Sequence, residues 1–476
     1  MTRRIWRLRR PTTVLAALLL CGVAVEGKAA IRGIAAGTGT MLHWAVRSDH
    51  ISTADGGSVH IWGYASLDAN VHQVGRAQYP GPTVIVTQGE TVTIELLNDL
   101  KDVWGNPVDQ KVSIVFHGQN VTATGGDPGL LTREASFGDT VTYSFVAEQP
   151  GTYLYESGTN PQLQVEMGLL GALIVRPAGY AAGAGPFNVC VDNPGCTAYG
   201  DPATRYDREY LFFLTEIDPE VHNLVEFGDF DAIDLTRYFP VYWFINGRAA
   251  PDTLGPPDAN WLPTQPYNIV PRMRPGEKLL MRMVGGSRDQ HPYHHHGNHA
   301  RIVARDGRLL RGPAGEDLSH EVFTISVVPG ETVDAIFTWT GAEMGWDIYG
   351  TPADGRPAHT CGDPACPDGN ADGFDDGTGA PCFDAATHEY CPDHGKPFPV
   401  VLPGLQDLAF GGFWSGSPFL GTEGALPPGE GGLNPNSAFT FMWHSHTEKE
   451  LINFDIFPGG MLTMLFVEPP TVMDIP

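Results

Sequence analysis

Two pairs of histidines, each with one residue between its members, are the clearest chemical signal in the sequence. His294 and His296 lie in the run HPYHHHG, and His444 and His446 follow the apolar run AFTFMW. Residues two apart in a β-strand share one face, so each pair can present two imidazoles to one site. Imidazole binds transition metals readily. The spacing therefore predicts a metal site, whereas the alternative, an exposed histidine-rich turn, would not account for two such pairs.

The elements that must position these histidines are short β-rich runs separated by Gly, Pro and Asn. With 58 Gly, 40 Pro and 18% charged residues, the composition favours turn-rich β structure. The two halves of the chain contain similar segments, PGPTVIVTQGETVTIELLN and VPRMRPGEKLLMRMVG, which implies two related sandwiches. We predict an all-β protein with a first domain over 31–178, a linker over 179–206 and a second domain over 207–470. The second domain contains an insertion over 345–435, rich in Gly, Pro, Asp and Cys.

The N-terminus and the overall charge bear on location and partners. Residues 1–30 are predicted to form a signal peptide, because five arginines precede an apolar run and then small residues suited to cleavage. No stretch reaches the roughly 20 apolar residues that a transmembrane helix needs. We therefore expect an exported protein, periplasmic or extracellular, without a membrane span. The net charge of −26 opposes binding to nucleic acid.

Six of the seven cysteines follow the predicted signal peptide, and an even number in an exported chain favours disulfides. Cys190 and Cys196 would close a small loop, and the four cysteines between 361 and 391 allow three pairings. The same segment has carboxylate and amide side chains around a glycine turn, similar to the first part of a calcium loop. The candidate calcium ligands are Asp368, Asn370, Asp372 and Asp376.

Four segments of the chain resemble the four copper-ligand segments of the multicopper oxidases. They read VFHG at 115–118, YESG at 155–158, HPYHHHG at 291–297 and HSH at 444–446. The resemblance implies two cupredoxin-like Greek-key β-sandwich domains, with copper as the cofactor. At the inner copper positions, of types 2 and 3, it places His117, Glu156, His294, His296, His444 and His446.

The chain departs from the family at the type 1, or blue, copper position. The family has a cysteine ligand where this chain has Ser445, and a hydroxyl cannot replace the thiolate that binds and tunes this copper. Ser157 stands near the position from which the related copper nitrite reductases supply their thiolate. Only His291 is retained among the type 1 ligands, and the resemblance places it near Ser445, Glu450 and Asp455. We interpret this group as an ion-pair cluster, with a hard-metal site as the alternative.

These departures predict a multicopper-oxidase-like oxidoreductase that lacks blue copper and therefore has no laccase activity. Its inner pocket would hold one or two ions, either copper or iron, manganese or zinc, and a small-molecule substrate or O₂ would reach the metal directly. The alternative is a non-catalytic metal-binding or surface-assembly module, since a fold alone does not establish catalysis. Two-domain relatives usually form homotrimers with the cluster between subunits, so a homotrimer is expected; a longer linker could instead let both domains meet within one chain.

Overall fold

The computed structural model describes residues 31–69, 73–180, 190–191, 193–354, 357–362, 373–375, 377–397 and 438–468. The predicted signal peptide and the four predicted calcium ligands lie outside these residues. The described residues are almost entirely β, as predicted, and form two sandwiches, one from each half of the chain. Each sandwich consists of two facing sheets with an apolar core.

The first sandwich is built from strands between Ile34 and Arg176. They are β1 (Ile34–Ala35), β2 (Met41–Ser52), β3 (Ser58–Ser66), β4 (Val84–Thr87), β5 (Thr91–Asn98), β6 (Val115–Phe116), β7 (Thr122–Gly125), β8 (Asp127–Pro128), β9 (Arg133–Glu134), β10 (Thr140–Val146), β11 (Gly151–Glu156) and β12 (Leu170–Arg176). One sheet has the order β1-β4-β12-β11-β6 and the other β3-β2-β5-β10-β7, with β8 and β9 as a separate pair. Every second residue of β5 is buried, which places its apolar residues in the core.

The second sandwich is built from strands between Arg208 and Val467. They are β13 (Arg208–Ile217), β14 (Tyr242–Ile245), β15 (Arg272–Met273), β16 (Lys278–Gly285), β17 (His291–His295), β18 (Ala300–Arg305), β19 (Arg308–Leu309), β20 (His320–Val322), β21 (Thr324–Val327), β22 (Thr332–Thr338), β23 (Phe439–Ser445) and β24 (Leu462–Val467). One sheet has the order β14-β13-β16-β22-β18-β19, with β20 also beside β18, and the other β15-β24-β23-β17-β21. The exact domain limits at 178 and 207 stay predictions.

Helices are short. The α-helices are α1 (Pro161–Gln164) and α2 (Pro219–Glu226), and single 3₁₀ turns cover Pro202–Thr204, Phe230–Ala232, Leu235–Arg237, Asp252–Leu254, Pro352–Asp354, Cys391–Asp393 and Glu448–Leu451. The side chain of Asp218 caps α2 by accepting a hydrogen bond from the Glu220 backbone N–H. None of the helices in the described part of the chain has the length and apolar character that crossing a bilayer requires.

The two sandwiches pack against each other through a shared apolar cluster. It brings Leu154 and Leu170 of the first sandwich against Phe213 and Phe244 of the second. Disulfides join Cys190 to Cys196, as predicted, and Cys361 to Cys391, which is one of the pairings that the sequence left open.

Candidate metal centre

The two histidine pairs lie on neighbouring strands of one sheet. Strand β17 lies between β21 and β23, and the antiparallel register places His294 directly opposite His444. Tyr293 and His295 point to the other face, where their rings contact Phe212 and Trp443. The alternation of β17 therefore divides the run of histidines between an apolar core and a polar face.

On the polar face, His294, His296, His444 and His446 form one group, which we call the four-histidine cluster. The ring centroids of His294 lie 4.7 Å from His296 and 5.0 Å from His446. The Nε2 atoms of His296 and His444 are 3.3 Å apart. Nδ1 of His444 is 2.6 Å from the Ser445 carbonyl oxygen, so this nitrogen donates and the lone pair lies on Nε2, facing His296.

Burial favours the neutral form of three of these imidazoles. It lowers the pKa of His294 and His296. Burial also lowers the pKa of His444 to about 4. The hydrogen bond to the Ser445 carbonyl raises this pKa, whereas the neighbouring imidazoles lower it further. A neutral imidazole keeps the lone pair that a metal ion needs, and copper and zinc both accept this ligand. The donor set of the four-histidine cluster thus fits copper.

The other two predicted inner ligands form a separate pair in the first sandwich. Nε2 of His117, just after β6, is 2.9 Å from Oε1 of Glu156, the last residue of β11. The His117 side chain is 40% exposed. Among the described residues, no hydrogen bond, ion pair or ring contact joins this pair to the four-histidine cluster. The chain thus brings four of the six predicted ligands together and holds the remaining two elsewhere.

The position that the resemblance assigns to type 1 copper contains a buried ion-pair group. His291 is fully buried; its Nε2 lies 2.9 Å from a carboxylate oxygen of Glu216, and its Nδ1 lies 3.0 Å from one of Glu450. Burial alone would lower the pKa of His291, but the hydrogen bonds to both carboxylates raise it to about 9. His291 is therefore an imidazolium that donates both N–H groups. We call these three residues the carboxylate–histidine triad.

The triad differs in membership from the predicted group. Asp455 is exposed and, among the described residues, makes no contact with His291. Ser445 is buried beside β17, and its hydroxyl accepts a hydrogen bond from the Thr447 N–H at 3.2 Å.

Glu216 is the residue that sequence reasoning missed. A signal was present, because an acid inside the apolar strand LFFLTEI needs a partner once it is buried.

Comparison with known proteins agrees with this arrangement of strands. Residues 66–179 match a family model described as "Multicopper oxidase". This segment therefore belongs to the multicopper oxidase family, and the curated relatives that match the chain are multicopper oxidases or copper proteins. The family implies copper as the metal.

Curated multicopper oxidase relatives match parts of the chain. Copper resistance protein A from Escherichia coli is 25% identical over 302 residues, which are 54% of this chain and 41% of that protein. Multicopper oxidase VdtB from Byssochlamys spectabilis is 28% identical over 177 residues, 36% of this chain and 24% of that protein. Multicopper oxidase MCE from Talaromyces pinophilus is 36% identical over 103 residues, 21% of this chain and 15% of that protein. The matches thus span less than half the length of these relatives.

Solved multicopper oxidases share the fold over most of the chain. The multicopper oxidase mgLAC superposes with a TM-score of 0.50 at 16% identity and covers 90% of this chain and 86% of its own. The blue copper oxidase from Nitrosomonas europaea has the same TM-score and identity and covers 90% of this chain and 85% of its own. Both similarities show the cupredoxin-type architecture, and at this level of identity they show the fold alone.

Proposed function

We propose that this multicopper oxidase relative is an exported oxidoreductase-type protein that binds copper at the four-histidine cluster and contains no blue copper. The carboxylate–histidine triad is the observation that carries the proposal. The two disulfides support export, because disulfides form and persist in oxidising compartments.

The triad opposes copper binding at the type 1 position in two ways. Copper would require a lone pair on His291, but both ring nitrogens carry protons that are donated to Glu216 and Glu450. Removing a proton from a group of pKa about 9 at pH 7 costs about 3 kcal/mol and leaves two buried carboxylates without their cation. Ser445 supplies no thiolate in compensation. Without this copper the family route for electron entry is closed, so laccase activity is not expected.

The four-histidine cluster has the donor atoms that copper needs. His294, His296, His444 and His446 would hold the metal, and bound copper would supply one-electron chemistry. The protein's own contribution is to orient the rings. The Ser445 carbonyl holds the tautomer of His444, and Thr324 hydrogen-bonds Nδ1 of His294 at 2.9 Å.

A homotrimer would complete the site. The His117–Glu156 pair and the four-histidine cluster are both partly exposed, and among the described residues no contact joins them. If the His117–Glu156 pair of one copy packed against the four-histidine cluster of the next copy, it would add an imidazole and a carboxylate to that cluster. A small-molecule substrate or O₂ would then reach the metal directly. Sedimentation velocity with copper present tests this assembly, and a monomer at all concentrations would contradict it.

The triad also favours a second candidate, a non-catalytic metal-binding module, because it removes the electron entry site. The two candidates differ in turnover. The oxidoreductase is expected to consume O₂ when supplied with a small reductant that can reach the cluster, whereas the non-catalytic module binds copper without O₂ uptake.

Metal analysis after reconstitution tests the proposal. We expect the unchanged protein to bind copper, the double variant His296→Ala/His444→Ala to lose it, and His299→Ala to retain it. His299 is a suitable control because it is exposed and lies in the same segment. Equal copper content in the double variant would contradict the assignment, and oxidation of a phenolic dye at a rate normal for the family would contradict the absence of blue copper.

A further inference from the structure

A second group of metal-binding side chains lies where the insertion meets the second sandwich. It consists of Asp347, His359, Glu389 and His394, whose ligand atoms all lie within 4.8 Å of one another. We call it the insertion cluster. It is separate from the four-histidine cluster, shares no residue with it and has no counterpart among the motifs found in the sequence.

The imidazole nitrogens and carboxylate oxygens of the insertion cluster lie close to the separation expected between the ligands of one ion. His359 Nε2 lies 3.5 Å from an Asp347 oxygen and 3.3 Å from a Glu389 oxygen. His394 Nδ1 lies 3.5 Å from the other Asp347 oxygen and 2.9 Å from the other Glu389 oxygen. Four ligands at about 2.0–2.2 Å from zinc are separated from one another by about 3.3–3.6 Å. Each imidazole nitrogen thus has an oxygen of both carboxylates at 2.9–3.5 Å, close to this separation, although the two imidazoles face different oxygens of each carboxylate.

Two buried atoms in the cluster have no hydrogen-bond partner. Oε2 of Glu389 and Nε2 of His359 are both buried and make no hydrogen bond, although they face each other as an ion pair at 3.3 Å. The Glu389 side chain is only 1% exposed, so its carboxylate is largely removed from bulk solvent. A buried polar atom without a partner costs about 1–3 kcal/mol, and more when it is charged. A cation between the two atoms would satisfy both.

The surrounding chain holds the ligands in place. The Cys361–Cys391 disulfide joins the segment of His359 to that of Glu389. The two oxygens of Asp347 accept hydrogen bonds from the backbone N–H groups of Tyr349 and Gly395, each at 2.9 Å. These contacts orient the carboxylate and leave each oxygen a further lone pair.

The position of Asp347 indicates what an ion would do. Its neighbours Trp346 and Ile348 are buried in the core of the second sandwich, whereas the other three ligands follow further along the insertion. An ion held by all four would therefore connect the insertion to the core. Two imidazoles and two carboxylates balance the charge of a divalent ion, and four protein ligands are typical of structural rather than catalytic zinc.

We propose that Asp347, His359, Glu389 and His394 bind a structural divalent transition-metal ion, zinc by preference, that fastens the insertion to the second sandwich. This site is independent of copper at the four-histidine cluster.

Zinc binding to the full chain tests the proposal. In protein freed of metal, carrying His296→Ala/His444→Ala so that the four-histidine cluster does not compete, we expect one zinc per chain. Adding Glu389→Gln should weaken zinc binding at least about 100-fold, since even residues behind a ligand change affinity 10–100-fold. Adding Glu321→Gln, an exposed carboxylate on β20, should leave it unchanged. Equal zinc affinity in the Glu389→Gln and Glu321→Gln proteins would overturn the proposal.

A position-resolved measurement covers the case in which Glu389→Gln fails to fold. Crystals of the unchanged protein soaked with zinc should show an anomalous peak between the four side chains of the insertion cluster. Zinc found only at the four-histidine cluster would overturn the insertion site and leave the copper proposal intact. Zinc at the insertion cluster together with no metal at the four-histidine cluster would support the insertion site and count against the copper proposal.

Discussion

Replacing Glu450 by glutamine perturbs the carboxylate–histidine triad with the least change of shape. Glutamine keeps an oxygen that can accept from Nδ1 of His291 at the present 3.0 Å but removes the negative charge. Glu216 on the other side of the ring is untouched. The substitution therefore measures how much the second carboxylate contributes to holding His291 as an imidazolium in the core.

The raised pKa of His291 sets the size and the pH range of the effect. A group whose pKa rises from 6.5 to about 9 on folding stabilises the native state fully below pH 6.5, and this contribution is lost as the pH rises through 9. The difference corresponds to about 3 kcal/mol. Two carboxylates raise this pKa, so Glu450→Gln should remove about 1.5 kcal/mol of it and lower the free energy of unfolding by about 1.5–3 kcal/mol near pH 6.

Urea denaturation at a series of pH values between about 6 and 9.5 measures both quantities. Between these limits the unchanged protein should lose about 3 kcal/mol from this group, and the Glu450→Gln protein about half as much. The exposed Glu321→Gln variant serves as the matched control. An unchanged pH dependence in Glu450→Gln would refute the assignment of a protonated His291 to the type 1 position.

Three further predictions concern the type 1 position, the cluster and the packing of the sandwiches. Ser445→Cys alone should not produce the intense visible absorption of blue copper when copper is added, because His291 has no free lone pair; a blue product would contradict this. Burial lowers the pKa of His444 to about 4, so copper held by this imidazole should be retained at lower pH than a histidine of the usual pKa of about 6.5 would allow; equilibrium dialysis at a series of pH values measures this, and loss of copper already at pH 6.5 would contradict it. Arg282→Met removes a buried cation 2.9 Å from Glu209 and should lower the free energy of unfolding by about 3–5 kcal/mol; a calorimetric change below about 0.5 kcal/mol would show that the ion pair is not needed.

The sequence alone was sufficient for the fold class and for part of the site. The alternation in β5 and the two His-x-His pairs follow from the period of a strand, which depends only on local backbone geometry. That period placed His294 and His296 on one face, and the resemblance of the ligand segments indicated that His444 and His446 would join them. The resemblance also predicts, from the single residue Ser445, that the thiolate of blue copper is missing.

Only the tertiary structure decided which side chains surround His291 and that His117 and Glu156 form a pair of their own. Glu216 and Glu450 are 75 and 159 residues from His291 in the chain, and their contacts arise because β13, β17 and the turn after β23 pack together. The insertion cluster depends in the same way on a disulfide and on a buried neighbour of Asp347. The two-residue period of a β-strand predicts which face of the strand a side chain occupies. Which remote side chain contacts a given residue depends on the order of the strands in the sheet and on how the sheets pack. These contacts contribute to stability only when both segments have folded together, so local periodicity does not specify them.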